Sequence, residues 1–271
     1  MNRPVVARAA RAAGLSLLAA FAVLAALAAQ GAPSSAQAAA ETLQEALRHL
    51  QADDVLLADA AVEEIVAFGP PGADALLPLL DDPRRDVRAG AIRGLGLLRE
   101  PRAAASLRDL LTRSLNDTSP DTMDDRYFRI LAVQALGRIG DGDSAELLRR
   151  VLADGDEFER AHAGISLFLF GEDPGYDVVR ECLADTAVAI RNLAVEGLGD
   201  SGNDQARELV LSMTDDESWV VRDSAYRVLA GWPRDGAVRE ALRKGAEDPS
   251  WYVRQTVDEA RRAPEHEKGE R

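Results

Sequence analysis

A motif that returns six times governs what this chain can fold into. The segment DVRAGAIRGLG at 86–96 recurs in weaker forms, and aligning its Arg gives Arg88, Arg129, Arg160, Arg191, Arg222 and Arg254. The steps are 31 or 32 residues, with one of 41. Three residues after the Arg stands Ala91, Ala132, Ala163, Ala194 or Ala225, with Val257 in the last copy. Seven residues after it stands Leu95, Leu136, Leu167, Leu198 or Leu229, until Arg261 breaks the column. Asp82, Asp154, Asp185, Asp216 and Asp248 lie six residues before the Arg, and Met123 holds that place in the second copy, with Asp124 and Asp125 next to it. A fixed period of this length means a stack of similar supersecondary units.

Each unit reads as two helices. The first starts near the Arg and buries the Ala and the Leu on one face. The glycines that follow, Gly96, Gly137 and Gly199, suit a left-handed helix end. A polar turn leads to a second helix with apolar residues at i and i+3/i+4, such as Leu147, Leu148, Val151 and Leu152. Such a pair buries its apolar sides only against the next pair. The expected fold is all-α, a right-handed α-α superhelix of about seven hairpin repeats and about fourteen helices. It spans 41–263, with a degenerate cap at 41–81, where Leu43, Leu47 and Leu50 mark the first helix. The terminal helix Ser250–Ala263 turns polar, and 264–271 is a charged tail.

The Asp, the Val/Ile-Arg pair, the Ala and the Leu-Gly together resemble the HEAT family, in particular its short repeat first associated with phycobilin lyases. The resemblance covers roughly 54–262. It implies a superhelix with an extended surface for binding other proteins.

Residues 1–40 read as an address rather than as structure. Arg3, Arg8 and Arg11 precede the uncharged Ala12–Ala29 run, and A-x-A sites follow at 36–38 and 38–40. This is the layout of a secretory signal peptide. The expectation is export to a periplasmic or extracellular space; the alternative is an uncleaved N-terminal membrane anchor, the chain's one route to a membrane. The net charge is −14, and Lys occurs only at Lys244 and Lys268. That balance argues against nucleic acid, whose binders need a basic face. Cys182 is the single cysteine, and His49, His162 and His266 are scattered. No cofactor and no metal site is expected.

Several constellations have two readings. The Arg and Asp columns read as a half-buried ladder that fixes register between units, or as an anion site; a solenoid's need for nearest-neighbour contacts favours the ladder. Tyr127, Phe158, Trp219, Trp251 and Tyr252 stand just before the repeat Arg. Exposed, they form a ridge for a protein partner; tucked inward, they staple the junctions, which the usual burial of large apolar residues favours. Arg149, Arg180 and Arg243 form a partial column on second helices, either a basic strip or a mixed solvated face. The extra residues at 112–125 read as a loop, either on the binding face or a tolerated surface loop, with a glycosylation sequon at Asn116-Asp117-Thr118. Acidic turns such as Asp141, Asp143 and Glu146 offer oxygen ligands to Ca²⁺ but match no EF-hand, and capping by Asp143 or Ser144 explains them.

No nucleophile-base motif is present. The leading expectation is therefore a non-enzymatic scaffold whose partner is a protein with a basic surface. Alternatives are a lyase-like carrier of a tetrapyrrole or other prosthetic group, and a Ca²⁺-binding envelope module.

Overall fold

The computed structural model describes residues 35–52, 55–117 and 123–263. The described residues form fourteen α-helices and four short 3₁₀ turns, with no strand among them. Residues 1–34, where a signal peptide is expected, the Asp53-Asp54 pair and residues 264–271 lie outside the described residues. The chain divides into two compact units between Ala75 and Leu76.

In the first unit α1 (Ser35–Leu50) packs on α2 (Val55–Val66). The apolar stripe of α1 buries Ala46 and Leu50, and α2 buries Ala58, Ala61, Val62 and Ile65. Pro70 opens α3 (Pro70–Leu76), a position where its missing N–H costs nothing. Residues 35–40, read from sequence as the end of the leader, form the start of α1.

The second unit has two layers. One contains α4 (Arg85–Leu97), α6 (Met123–Ile139), α8 (Glu157–Leu169), α10 (Val188–Leu198), α12 (Trp219–Ala230) and α14 (Trp251–Arg262), each touching the next. The other contains α5 (Ala104–Asn116), α7 (Ala145–Asp154), α9 (Asp173–Leu183), α11 (Asp204–Ser212) and α13 (Gly236–Gly245), each packed on the first-layer helix that follows it. The repeat positions explain this order. Ala91, Ala132, Ala163, Ala194, Ala225 and Val257 have no exposed surface, nor have the five Leu of the +7 column. The small side chain lets the next helix approach, and each fully buried Leu contributes roughly 1.5–3 kcal/mol.

Helix α8 is the most enclosed. Every residue from Ala161 to Phe168 is buried, as the apolar run GISLFLFG requires. Its start is a capping box, with Asp156 and Glu159 exchanging backbone-to-carboxylate hydrogen bonds at 3.0 and 2.9 Å.

The glycines divide their labour differently from the sequence expectation. Gly137 is inside α6, and a Cβ there would lie 2.4 Å from the Ser166 hydroxyl oxygen on α8. It is a close-approach residue, like Gly96, whose Cβ would meet Ala135 Cα at 2.9 Å. Gly199 is right-handed helical. The left-handed turn falls three residues later, at Gly140, Gly171 and Gly202. In the first repeat of this unit Arg99 takes that conformation, at φ 50°.

The 112–125 segment is also less of a loop than expected. Thr112–Asn116 continue α5 and Met123–Asp125 belong to α6, so part of the insertion lengthens helices. The centre of the insertion, 118–122, and the Thr118 of the sequon lie outside the described residues. Asn116 accepts a hydrogen bond from Arg150 Nη2 at 2.9 Å.

Candidate functional site

The edge where the first-layer helices begin carries both the Arg/Asp columns and the aromatic side chains. Asp82, Asp185, Asp216 and Asp248 each accept, through Oδ1, the backbone N–H two residues on, at 2.7–2.9 Å. This turn launches the next helix. The repeat Arg then reaches back. Nη1 of Arg88, Arg191, Arg222 and Arg254 donates to the carbonyl oxygen of that Asp at 2.6–2.9 Å. The same nitrogen donates to the following carbonyl at 3.0–3.2 Å.

The forward contacts are not uniform. Arg191 holds Asp216 bidentately at 2.8 and 3.0 Å, and Arg222 holds Asp248 at 2.8 and 2.9 Å. Such forks are the strong form of charge-assisted hydrogen bond. They raise the pKa of both arginines. Burial pushes the Asp248 carboxyl up, but hydrogen bonds from Arg222 and the Ser250 N–H outweigh it and hold it below its usual range. Elsewhere the expected ladder is corrected. Asp154 is the last residue of α7 and is exposed, because the helix runs through the position where the other aspartates sit after a helix end. Arg160 is exposed and bonds neither Asp154 nor Asp185. Arg129 instead binds Glu159 at 2.6 Å. Asp82 binds its neighbour Arg84 at 2.7–2.9 Å, and that guanidinium holds its carboxyl at about 2. Among the described residues Arg88 has no carboxylate partner, for α6 begins six residues before its Arg where the others begin three before.

The aromatic side chains are not tucked inward. Tyr127 is 36% exposed, Phe158 46%, Trp219 43%, Trp251 60% and Tyr252 57%. Phe158, Trp219, Trp251 and Tyr252 are the first or second residues of their helices and Tyr127 the fifth of α6, all outside the buried face that the Ala and Leu columns define. Val188, at the same place on α10, is 37% exposed; sequence reasoning passed over it because it sought aromatics alone. Tyr252 stacks on Trp219 of the preceding layer helix at 4.7 Å and meets Trp251 edge-on at 5.1 Å. Arg85 lies over Tyr127 at 4.6 Å. Glu217, beside Trp219, has 86% of its side chain exposed. Asp215 is also exposed and pairs with Lys244.

A profile of HEAT repeats matches residues 40–118, 121–198 and 176–260. The chain belongs to the HEAT-repeat family. Similar solved structures include the CpcE–CpcF complex of phycocyanin lyase from a Nostoc species. That likeness has 18% identity, covers 81% of this chain and 94% of that one, and gives a TM-score of 0.53. Human deoxyhypusine hydroxylase in complex with glycerol has 19% identity, with coverage of 83% and 96% and a TM-score of 0.37. A designed armadillo repeat protein in complex with the peptide (KR)4 has 17% identity, with coverage of 69% and 96% and a TM-score of 0.37. At these identities the likeness is one of fold. No curated protein matches the chain.

Other candidate residues of this HEAT chain are placed as follows. Arg149 pairs with Glu172 at 2.5 Å and Glu146 at 3.4 Å, and Arg243 pairs with Glu240 at 2.6 Å. Arg180 lies 5.9 Å from the centre of the Tyr176 ring. Arg149 and Arg243 are thus matched by carboxylates. In the acidic turn, Asp141 accepts from Arg108 at 2.5 Å and from the Ser144 hydroxyl. Neither Ser144 nor Asp143 makes the expected cap; the carboxylate is used in an ion pair. No group of three or more metal-ligating side chains occurs among the described residues. No described helix is long and apolar enough to cross a membrane.

His162 is buried in α8, with the Gln134 amide donating to its ring at 3.1 Å. Burial, aided by Arg138, lowers its pKa to about 4. Burial also raises the Cys182 thiol to about 11. At the opposite ends of the first-layer helices, Asp200 accepts from Arg138 Nε at 2.9 Å through its carboxylate and from Arg99 Nη2 at 3.0 Å through its carbonyl. That point therefore joins α4, α6 and the turn after α10.

Proposed function

We propose that this HEAT-repeat chain is an exported, non-enzymatic scaffold that holds a protein partner with a basic surface. The observation that carries the reading is the exposed cluster of Trp219, Trp251 and Tyr252, with the exposed Glu217 two residues before Trp219. Large aromatics in solvent cost free energy that a partner recovers by covering them. Their faces attract cations, and adjacent carboxylates add to that preference. The two groups best suited to chemistry do not favour an enzyme. The Cys182 thiol stays protonated at neutral pH, which disarms it as a nucleophile. The His162 ring is neutral and packed in the core.

The test uses tryptophan emission. Trp219 and Trp251 are exposed, whereas Trp232 is buried and serves as an internal reference. Titration with an Arg-rich octapeptide should shift or quench the exposed emission saturably, and a Glu-rich octapeptide should not. Tyr252→Ala, which leaves both fluorophores, should weaken the response at least about fivefold, a hot-spot loss of roughly 1 kcal/mol. An equal response to both peptides, or an unchanged one in Tyr252→Ala, refutes the reading. Export rests on the residues at 1–40 alone. Amino-terminal sequencing of the protein from its cell envelope should find a start just after one of the A-x-A sites; an intact Met1 would overturn that part.

A further inference from the structure

The rungs at Arg191 and Arg222 show what the forward edge of a repeat guanidinium does: it grips a carboxylate with Nε and Nη2. Arg88 is built into its turn in the same way, through Nη1 to the carbonyls of Asp82 and Pro83. Its forward edge has no such partner among the described residues. Met123 replaces the repeat Asp, and α6 begins a turn early, so the Asp-led turn that presents a carboxylate is missing here. Nε and Nη2 of Arg88 form no hydrogen bond among the described residues.

A cavity of about 380 Å³ opens at this place, lined by Arg88, Arg113, Leu80, Leu107, Leu110 and Phe128 among others. The Arg88 guanidinium lies over the Phe128 ring at 4.7 Å, which fixes its plane while leaving its edge open. Among the described residues Arg113 donates only through Nε, to the Asp109 carbonyl at 3.3 Å, and its two terminal nitrogens make no hydrogen bond. An apolar wall with a few convergent donors is the usual make-up of a small-molecule site, and the volume lies in the usual range.

We propose that this cavity binds a small monocarboxylate with an apolar body, its carboxylate completing the rung that Arg88 lacks. The leucines and Phe128 take the apolar part. Asp81, Asp117 and Asp125 also line the cavity. Their negative charge disfavours polyanions such as phosphates more strongly than a single carboxylate. The inference does not depend on the aromatic edge, whose residues the cavity does not share.

Hexanoate serves as the probe, and the full chain labelled with ¹⁵N as the sample. The Arg88 Nε–H resonance should shift saturably on titration. Hexan-1-ol, equally long and neutral, should bind at least about tenfold more weakly, because it cannot form the charge-assisted fork. Backbone amides that line the cavity, such as those of Leu107 and Leu110, should shift with the same saturation, and Arg88→Gln should abolish their shifts. Arg88 also supports its own turn, so Leu110→Trp, which fills the cavity and leaves the guanidinium in place, is the second variant and should also lose binding. The proposal fails if hexan-1-ol binds as well as hexanoate. It fails equally if binding survives Leu110→Trp in a folded protein, or if no saturable shift appears at roughly 10 mM hexanoate.

Discussion

From α10 onward, Arg191 and Arg222 each close a fork on the carboxylate of the next turn; around α8, Arg160 is exposed and Arg129 turns to Glu159. The Arg column is identical in the two regions, so the guanidinium does not decide the contact. At Arg129 what decides it is where the preceding helix stops. Before Asp216 and Asp248 the helix has ended, so each Asp folds back on the chain and faces the Arg of the previous repeat; Asp185 also follows a helix end, yet the exposed Arg160 does not reach it. When α7 runs on through Asp154, that carboxylate turns to solvent and the capping-box Glu159 takes its work.

The sharpest way to break this comparison is to remove one aspartate from each region. Asp248→Ala strands the partly buried Arg222 and deletes a turn bond, and should lower the unfolding free energy by about 4 kcal/mol. Asp154→Ala should change it by less than about 0.5 kcal/mol. Urea unfolding of the two variants measures both, and equal losses would refute the account of the helix ends.

The second test concerns the buried ring at the centre of α8. The folded-state pKa of His162 is about 4, below its ordinary 6.5. Its contribution is therefore fully present above pH 6.5 and is lost as pH falls from there to 4. The shift corresponds to roughly 3 kcal/mol. His162→Leu, the residue at the same repeat position as Leu131 and Leu193, should flatten the pH dependence of the melting temperature in that window. The carboxylates Asp82 and Asp248 titrate below it, where their lowered pKa values remove stability as pH drops further.

Two smaller effects sharpen the contrast. Glu159→Gln keeps the shape but removes the charge that Arg129 binds, and should cost about 2 kcal/mol. Arg160→Ala, although the motif Arg is deleted, should cost no more than about 0.5 kcal/mol. Thermal melts resolve the pair, since 1 kcal/mol moves a unit of this size by roughly 2–4 °C.

The helical pairs were legible because Ala and Leu at +3 and +7 admit only one buried face, and the period carried that face through six copies. The roles of the glycines were not. Gly137 and Gly140 lie three residues apart, and only the packing of α6 on α8 shows which one is pressed against a neighbour and which one turns the chain. The exposure of Trp219 and Trp251 was misjudged from their size; their place ahead of the first buried position was the better guide. The cavity beside Arg88 was half visible. Met123 in the aspartate column was the signal, but a missing partner reads as sequence drift until neighbouring rungs show what is absent.

The junction at Asp200 changes how such a stack comes apart. A repeat array held only by adjacent contacts unzips from either end, one module at a time. Arg99 ties the opening module of the second unit, and Arg138 the module after it, to the turn after α10. Amide protons in α4, α6, α8 and α10 should then exchange with deuterium as one block at a common opening free energy. Those in α14, beyond the clasp, should exchange earlier. The clasp gives a modular chain a segment that yields all at once, and a single Arg99→Ala should return it to unzipping by steps.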